Sequence, residues 1–160
     1  MSGQSMVQPV DDRNAVSPGA DATPPVRRAA DTAVATSSER GTQADAKVMI
    51  VDDASMTVRL MKAFLEDAGY RRFVTTSRSS EAMALLVEER PDVLLLDLDM
   101  PEVSGFDVLE QLRAHPLVQH TPVLILTAAE DAGSKLRALE LGATDFLAKP
   151  VDTSELALRL

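Results

Sequence analysis

From Lys47 onward, short apolar runs alternate with longer stretches of helical periodicity, and this alternation constrains the fold more than any other feature. The apolar runs predict strands at Lys47–Val51, Arg72–Thr76, Val93–Asp97, Val123–Thr127 and Asp145–Ala148. The stretches between them predict helices at about 55–68, 81–90, 106–115, 131–141 and from 152 to the last residue. Strands that alternate with helices form a parallel sheet covered on both faces through right-handed crossovers. The predicted fold is therefore α/β and doubly wound.

The first predicted helix carries an apolar stripe at helical spacing, which we expect to face the core. Its members are Val58, Met61, Phe64 and Leu65. Met56 and Met83 occupy similar helical positions and are also predicted to be core residues. Gly69 is expected to end this helix, because glycine readily adopts the backbone conformation that terminates helices.

Local polar residues predict where two other helices begin. Ser79 or Ser80 is expected to cap the second helix, which must end near Pro91. The segment Asp152–Glu155 resembles a capping box that opens the last helix. The chain stops about two turns later, so we expect this helix to be truncated and the chain to be a fragment of a larger protein.

Residues 1–46 differ in composition from the rest of the chain. They contain no Leu, Ile, Phe, Tyr or Trp, although they hold four of the nine prolines. Such a segment cannot bury enough apolar surface to offset the loss of chain entropy. We therefore predict a disordered tail at 1–46 followed by one folded domain at 47–160.

Composition also excludes several classes of function. The chain of 160 residues has no cysteine, so neither disulfides nor thiolate metal sites are available. Its formal net charge of −9 disfavours direct nucleic-acid binding, because phosphate contacts require an excess of Lys and Arg. The sequence contains no apolar run of membrane-spanning length and no signal-peptide pattern. A cytoplasmic protein without membrane contact is the expectation.

Chemically useful side chains follow the strands that we expect near the centre of the sheet. These are the Asp52-Asp53 pair, Asp97, Thr127 and Lys149. In an open parallel sheet, ligands bind beyond the carboxyl ends of the strands, so these groups should meet there. Three carboxylates repel one another unless a cation joins them, and hard oxygen ligands suit Mg²⁺. With a hydroxyl and an ammonium they predict a phosphoryl-transfer site, with Asp97 as the nucleophile.

Four segments resemble the landmarks of response-regulator receiver domains in two-component signalling. They are "VDDASMTVR", "LLLDLDMPEVSG", "LILTA" and "GATDFLAKP", in this order, within a resemblance that covers about residues 46–160. The resemblance implies a flavodoxin-like, five-stranded parallel sheet of order 2-1-3-4-5 with helices on both faces. It also implies a domain that takes a phosphoryl group and switches an output surface.

The resemblance implies a role for each site residue. Asp97 would be the phospho-acceptor. Asp52 and Asp53 would hold Mg²⁺ together with Asp97 and the backbone carbonyl of Asp99.

Three further residues match positions that act after phosphorylation. Thr127 would be the switch hydroxyl, and Lys149 the ion-pair partner of the phosphoryl group. Phe146 matches the aromatic switch position, where many relatives carry tyrosine. A cis peptide bond is expected between Lys149 and Pro150.

The implied partners follow from this signalling role. A sensor histidine kinase or a phosphotransfer protein in a phosphorelay would donate the phosphoryl group to Asp97. The chain would be no conventional enzyme: it would catalyse its own phosphorylation and lose the phosphoryl group by slow autodephosphorylation. An output domain beyond Leu160 and a compact single-domain regulator are the two alternatives for the whole protein, and a homodimer is left open.

Two alternatives belong to other functional classes. The motif "DLDMP" also resembles the nucleophile motif of haloacid-dehalogenase-like, Mg²⁺-dependent phosphatases, in which the second acid, here Asp99, is a general acid. The acids Asp52 and Asp53 lie upstream of the nucleophile, where that family needs none, and little chain follows Lys149 to supply its own metal ligands. A receiver-like docking module without phosphorylation is the second alternative, and the intact set of site residues argues against it.

Overall fold

A computed structural model describes residues 44–128 and 132–160 of the chain. Five strands were found within these residues, and each begins where the sequence predicts. They are β1 (Lys47–Val51), β2 (Arg72–Thr76), β3 (Val93–Asp97), β4 (Val123–Ala128) and β5 (Asp145–Lys149). The helices are α1 (Ser55–Asp67), α2 (Ala82–Glu89), α3 (Gly105–Ala114), α4 (Ala132–Glu140) and α5 (Thr153–Arg159). A short 3₁₀ turn, Ser79–Glu81, precedes α2.

The predicted tail lies almost wholly outside the described residues. The prediction of disorder for residues 1–46 therefore stays a prediction, since the structure describes the chain from residue 44.

The strands form one parallel sheet in the order β2-β1-β3-β4-β5, which confirms the predicted topology. The register aligns Val51 of β1 with Leu96 of β3. Asp52 directly follows Val51 and Asp97 directly follows Leu96, so the two acids lie side by side at the carboxyl ends of β1 and β3. Asp97 in turn aligns with Leu126 of β4.

Alternate residues of each strand face two separate apolar layers. On one face, Met49, Leu94 and Ile125 pack with residues of α2, α3 and α4. On the other face, Ile50 and Leu95 pack with residues of α1 and α5. The central leucines 94–96 are fully buried, and burying each contributes roughly 2 kcal/mol. The sheet is thus a rigid platform whose carboxyl edge presents the polar residues.

The predicted core of α1 is partly wrong. Met61 is buried with Val58 and Leu65, but Met56 is 73% exposed and Phe64 is 37% exposed. At about 100° per residue, Phe64 lies about 60° from Met61 in one direction around the helix, and Leu65 lies about 40° from it in the other. Met83 is partly buried and packs against the core, as predicted.

The helix-start signals also had mixed outcomes. Neither Ser79 nor Ser80 caps α2: its N-cap residue is Glu81, and no side chain makes a capping hydrogen bond. Asp152 caps α5 by accepting hydrogen bonds from the backbone N–H groups of Ser154 and Glu155. The Glu155 carboxylate pairs with Arg159, and no return bond of a capping box is present among the described residues.

Turns at the helix ends agree better with the sequence. Gly69 follows α1 with a φ of +111°, in the left-handed region that favours glycine, which confirms it as the stop signal. The peptide bond between Lys149 and Pro150 is cis, as expected. Within the described part of the chain, no helix combines the length and the apolar character needed to cross a membrane.

Candidate functional site

The sheet brings together five of the side chains that the sequence predicts to be functional. Asp52 and Asp97 are 0% and 2% exposed, and Thr127 is 1% exposed. Lys149 is partly buried beside them, and Asp53 is exposed at the rim. Buried ionised groups are rare unless they are paired, so their convergence at one edge of the sheet marks a site.

Lys149 bridges the two buried carboxylates. Its Nζ donates a hydrogen bond to Asp52 Oδ2 at 2.8 Å and lies 3.0 Å from Asp97 Oδ1. Burial alone would lower the pKa of Lys149, but the hydrogen bonds to Asp52 and Asp97 outweigh it and raise that pKa. The lysine is therefore protonated across the physiological pH range and holds two like charges together.

The environment of Asp97 makes the ionised form of its carboxyl group less favourable than it is in water. Burial raises the pKa of the Asp97 carboxyl, and the charge of Asp52 adds to this rise. The ammonium of Lys149 and the backbone N–H of Asp99, which donates to Oδ1 at 3.3 Å, act in the opposite direction. Additional positive charge at this site would stabilise the ionised, nucleophilic form.

The three carboxylates have the geometry of a metal-binding group. One oxygen atom from each of Asp52, Asp53 and Asp97 lies within 4.8 Å of the others. Asp52 is fixed in this arrangement because its Oδ1 accepts a hydrogen bond from the backbone N–H of Ala54 at 2.9 Å. When all three carboxylates are ionised, the single ammonium of Lys149 leaves two negative charges uncompensated. An all-oxygen donor set open to water on one side fits Mg²⁺.

Thr127 is the third buried group of the site. Among the described residues, no group hydrogen-bonds to its buried Oγ1. A buried hydroxyl without a partner costs free energy, and such groups in folded proteins call for an explanation. An anionic ligand placed beyond the ends of the strands would supply the missing acceptor.

The loop that leaves β3 depends on a glycine. Gly105 begins α3, and a Cβ atom there would lie 2.1 Å from the carbonyl oxygen of Asp97. The backbone N–H of Gly105 donates to the Leu98 carbonyl at 3.1 Å, which closes the loop onto the end of the strand. Ser104 and Asp107 form a reciprocal capping box at the start of α3. Only glycine fits at the end of the segment "DLDMPEVSG", because the first residue of α3 lies against the backbone of β3 and leaves no room for a side chain.

Two predicted residues lie outside the buried cluster. The side chain of Asp99 is exposed, and its backbone rather than its carboxylate contacts Asp97. Phe146 is partly buried against the α2–α4 layer, and its ring lies 5.1 Å from Nζ of Lys135.

Sequence reasoning missed the role of Ser79. Its hydroxyl donates to the carbonyl of Pro101 at 2.6 Å and accepts from the backbone N–H of Val103 at 3.2 Å. Both partners belong to the loop after β3. No local signal distinguishes Ser79 from Ser80, because the contact joins residues more than 20 positions apart in the sequence.

Comparison with known proteins identifies the family. A family model of the response regulator receiver domain matches residues 48–160. The chain belongs to the response regulator receiver domain family. The receiver fold and the role in two-component signal transduction that the sequence indicated are therefore confirmed, and nothing in these comparisons favours a phosphatase.

Two curated relatives are much longer than the segment that they share with this chain. The chain is 38% identical over 115 residues to the response regulator PleD of Caulobacter vibrioides, a match that covers 72% of this chain and 25% of PleD. It is 37% identical to the alkaline phosphatase synthesis transcriptional regulatory protein PhoP of Bacillus subtilis over 71% of this chain and 46% of PhoP. The receiver domain thus spans a quarter to a half of the length of these relatives.

Solved structures of other receiver domains share the fold of this chain. The chemotaxis response regulator CheY4 of Vibrio cholerae superposes with a TM-score of 0.64 and 33% identity, covering 71% of this chain and 93% of CheY4. The receiver domain of a sensor histidine kinase from Pseudomonas aeruginosa, solved with a magnesium ion in its active-site cleft, gives a TM-score of 0.65. That match has 26% identity and covers 71% of this chain and 93% of that domain.

Proposed function

We propose that Asp97 is the phospho-acceptor of this receiver domain and that Asp52, Asp53 and Asp97 hold Mg²⁺, with the backbone carbonyl of Asp99 as a further ligand. The observation that carries the proposal is the buried Asp52–Lys149–Asp97 cluster at the carboxyl edge of a parallel sheet. A divalent cation held by these residues would supply positive charge that offsets the negative charge on the oxygens of the transferring phosphoryl group. A phosphorylated histidine of a sensor kinase or phosphotransfer protein is the proposed donor.

Asp97 supplies the nucleophilic oxygen. Its hydrogen-bonding contacts from Lys149 and from the Asp99 backbone both engage Oδ1, which leaves Oδ2 for attack. Oδ2 forms a bond to phosphorus as the bond from phosphorus to the donor nitrogen breaks, and the electron pair of that bond stays on the imidazole. The product is an acyl phosphate on Asp97.

Lys149 and Thr127 act on the charge that arrives with the phosphoryl group. The ammonium of Lys149 lies close enough to Asp97 to pair with a phosphoryl oxygen. The unpartnered hydroxyl of Thr127 would donate to another oxygen and so connect the modified site to β4. Phe146, on the neighbouring strand, is the proposed aromatic residue through which this change reaches the surface. Slow autodephosphorylation and an output domain in the full-length regulator belong to the same proposal.

Intact-mass analysis tests the assignment of Asp97. Incubation with acetyl phosphate and Mg²⁺ should add one phosphoryl group to the wild-type chain and none to Asp97→Ala. Asp99→Ala is the matched control: it removes the same kind of side chain from the same loop but keeps the backbone carbonyl, so labelling should persist. Unchanged labelling of Asp97→Ala would show that another residue accepts the phosphoryl group.

A further inference from the structure

The loop between β3 and α3 carries the carbonyl of Asp99, which we propose as a metal ligand. Hydrogen bonds hold this loop at its end and at its tip. At one end, the N–H of Gly105 donates to the carbonyl of Leu98. At the tip of the loop, the hydroxyl of Ser79 lies between two backbone groups, donating to Pro101 and accepting from Val103. Ser79 is 5% exposed, so water competes little for this contact.

The tip of the loop needs this support because its backbone is unfavourable. Glu102 has a φ of +68°, in the left-handed region that non-glycine residues seldom adopt. The N–H of Val103 also donates to the carbonyl of Pro101 at 2.8 Å, which makes a tight turn around Glu102. Pro101 and Glu102 are both exposed, so their own side chains add little packing. The hydroxyl of Ser79 satisfies both backbone groups of this turn at once.

Ser79 is available for this contact because it does not cap a helix. It is the first residue of a 3₁₀ turn, and the N-cap position of α2 is two residues later, at Glu81. Ser79 thereby connects the end of β2 to a loop that is 22 to 24 residues away in the sequence. Asp99 is two residues before Pro101 in that loop, so a shift of the turn would shift the Asp99 carbonyl.

We propose that Ser79 is a positioning residue for the magnesium site: its hydroxyl fixes the turn at Pro101–Val103 and, through it, the carbonyl of Asp99. This inference rests on the proposed function, since it assumes that the Asp99 carbonyl faces the metal. Among the described residues, the hydrogen bonds of the Ser79 hydroxyl go to Pro101 and Val103 and not to the three carboxylates. It acts on the affinity for Mg²⁺, and on phosphorylation through that affinity.

Isothermal titration calorimetry of Mg²⁺ binding to the full wild-type chain and to Ser79→Ala tests the proposal. Removing a group that orients a metal ligand commonly weakens metal binding by 10-fold or more. We therefore expect the Mg²⁺ dissociation constant of Ser79→Ala to be roughly 10-fold higher than that of the wild type. The rate of labelling by acetyl phosphate should fall at low Mg²⁺ and approach the wild-type rate at saturating Mg²⁺. Ser80→Ala, at the exposed neighbouring serine, should leave the dissociation constant unchanged.

A structural role alone would lower the melting temperature of Ser79→Ala and leave its Mg²⁺ affinity unchanged, and that result would overturn the proposal. An equal change in Ser80→Ala would overturn it as well. If Ser79→Ala does not fold, Ser79→Cys keeps a similar volume with a weaker donor and should show a smaller rise in the dissociation constant; no rise there would again overturn the proposal. A wild-type chain that binds no Mg²⁺ would instead refute the proposed function itself.

Discussion

Two lysines lie at opposite edges of the sheet and hold acids in different ways. At the amino edge, Nζ of Lys47 donates to the carboxylate of Glu89 at 3.0 Å and to its backbone carbonyl at 2.6 Å. The side chains of this pair are 20% and 38% exposed. At the carboxyl edge, Lys149 contacts two carboxylates that are almost fully buried.

The difference between the two edges separates structural ion pairing from a functional site. The Lys47 pair is balanced and partly solvated, and pairs of this kind contribute little to stability. The Lys149 cluster has more acids than the ammonium can neutralise, and it is buried, so its stability depends on that ammonium. A buried, charge-unbalanced cluster has little structural use, and it suits a site that binds a cation and a phosphoryl group.

Removing the lysine at the carboxyl edge should give the largest effect. Lys149→Met keeps the apolar stem and leaves two buried carboxylates unpaired, so the free energy of unfolding should fall by about 3 kcal/mol. The rate of labelling by acetyl phosphate should fall about 100-fold, because a charged donor to the transferring group is lost. Urea denaturation and intact-mass time courses measure the two effects.

Lys47→Met is the matched control for this prediction. It removes a lysine from the other edge of the same sheet and should cost at most about 1 kcal/mol, with no change in the labelling rate. Equal losses of stability in the two variants would remove the distinction between the edges.

Removing the Thr127 hydroxyl should have a smaller effect on stability than removing Lys149, and in the opposite direction. Thr127→Val keeps the branched shape but removes the buried hydroxyl that lacks a partner, so the metal-free, unphosphorylated domain should gain about 1 kcal/mol of stability. Thr127→Ser keeps the hydroxyl and serves as the control, with no such gain. Urea denaturation in chelator measures both, and a destabilised Thr127→Val would mean that the hydroxyl already has a partner.

The sequence predicts the fold and the buried cluster well because both depend on short-range patterns. The apolar run before Asp97 defines β3, and parallel topology carries the ends of β1, β3, β4 and β5 to one edge. Asp52 and Asp97 could therefore be placed together from their positions after buried strands. The pairing of Lys149 with both acids could be seen only in the structure, because the sequence does not determine where a long, flexible side chain points.

Contacts between distant segments account for most of what the sequence could not predict. Ser79 has the local pattern of a helix cap, yet its hydroxyl binds a loop that follows a different strand. Phe64 has nearly the right spacing for the apolar stripe of α1, but it falls at the margin of the interface with the sheet. In both cases the outcome depends on tertiary geometry, which local periodicity does not contain.

The response of stability to magnesium tests the central claim most directly, with Asp53→Asn as the deciding variant. The exposed Asp53 adds repulsion in the metal-free cluster and a ligand in the metal-bound one. At about 10 times the dissociation constant, Mg²⁺ should stabilise the wild-type domain by roughly 1.4 kcal/mol.

Melting curves of both proteins in chelator and in millimolar Mg²⁺ give the answer. We expect the wild-type melting temperature to rise with Mg²⁺. Asp53→Asn should melt higher than the wild type in chelator and lose most of the magnesium response. An Asp53 that only complements the dipole of α1 predicts the reverse. A less stable variant whose magnesium response is intact would contradict the proposal that these carboxylates form a metal site.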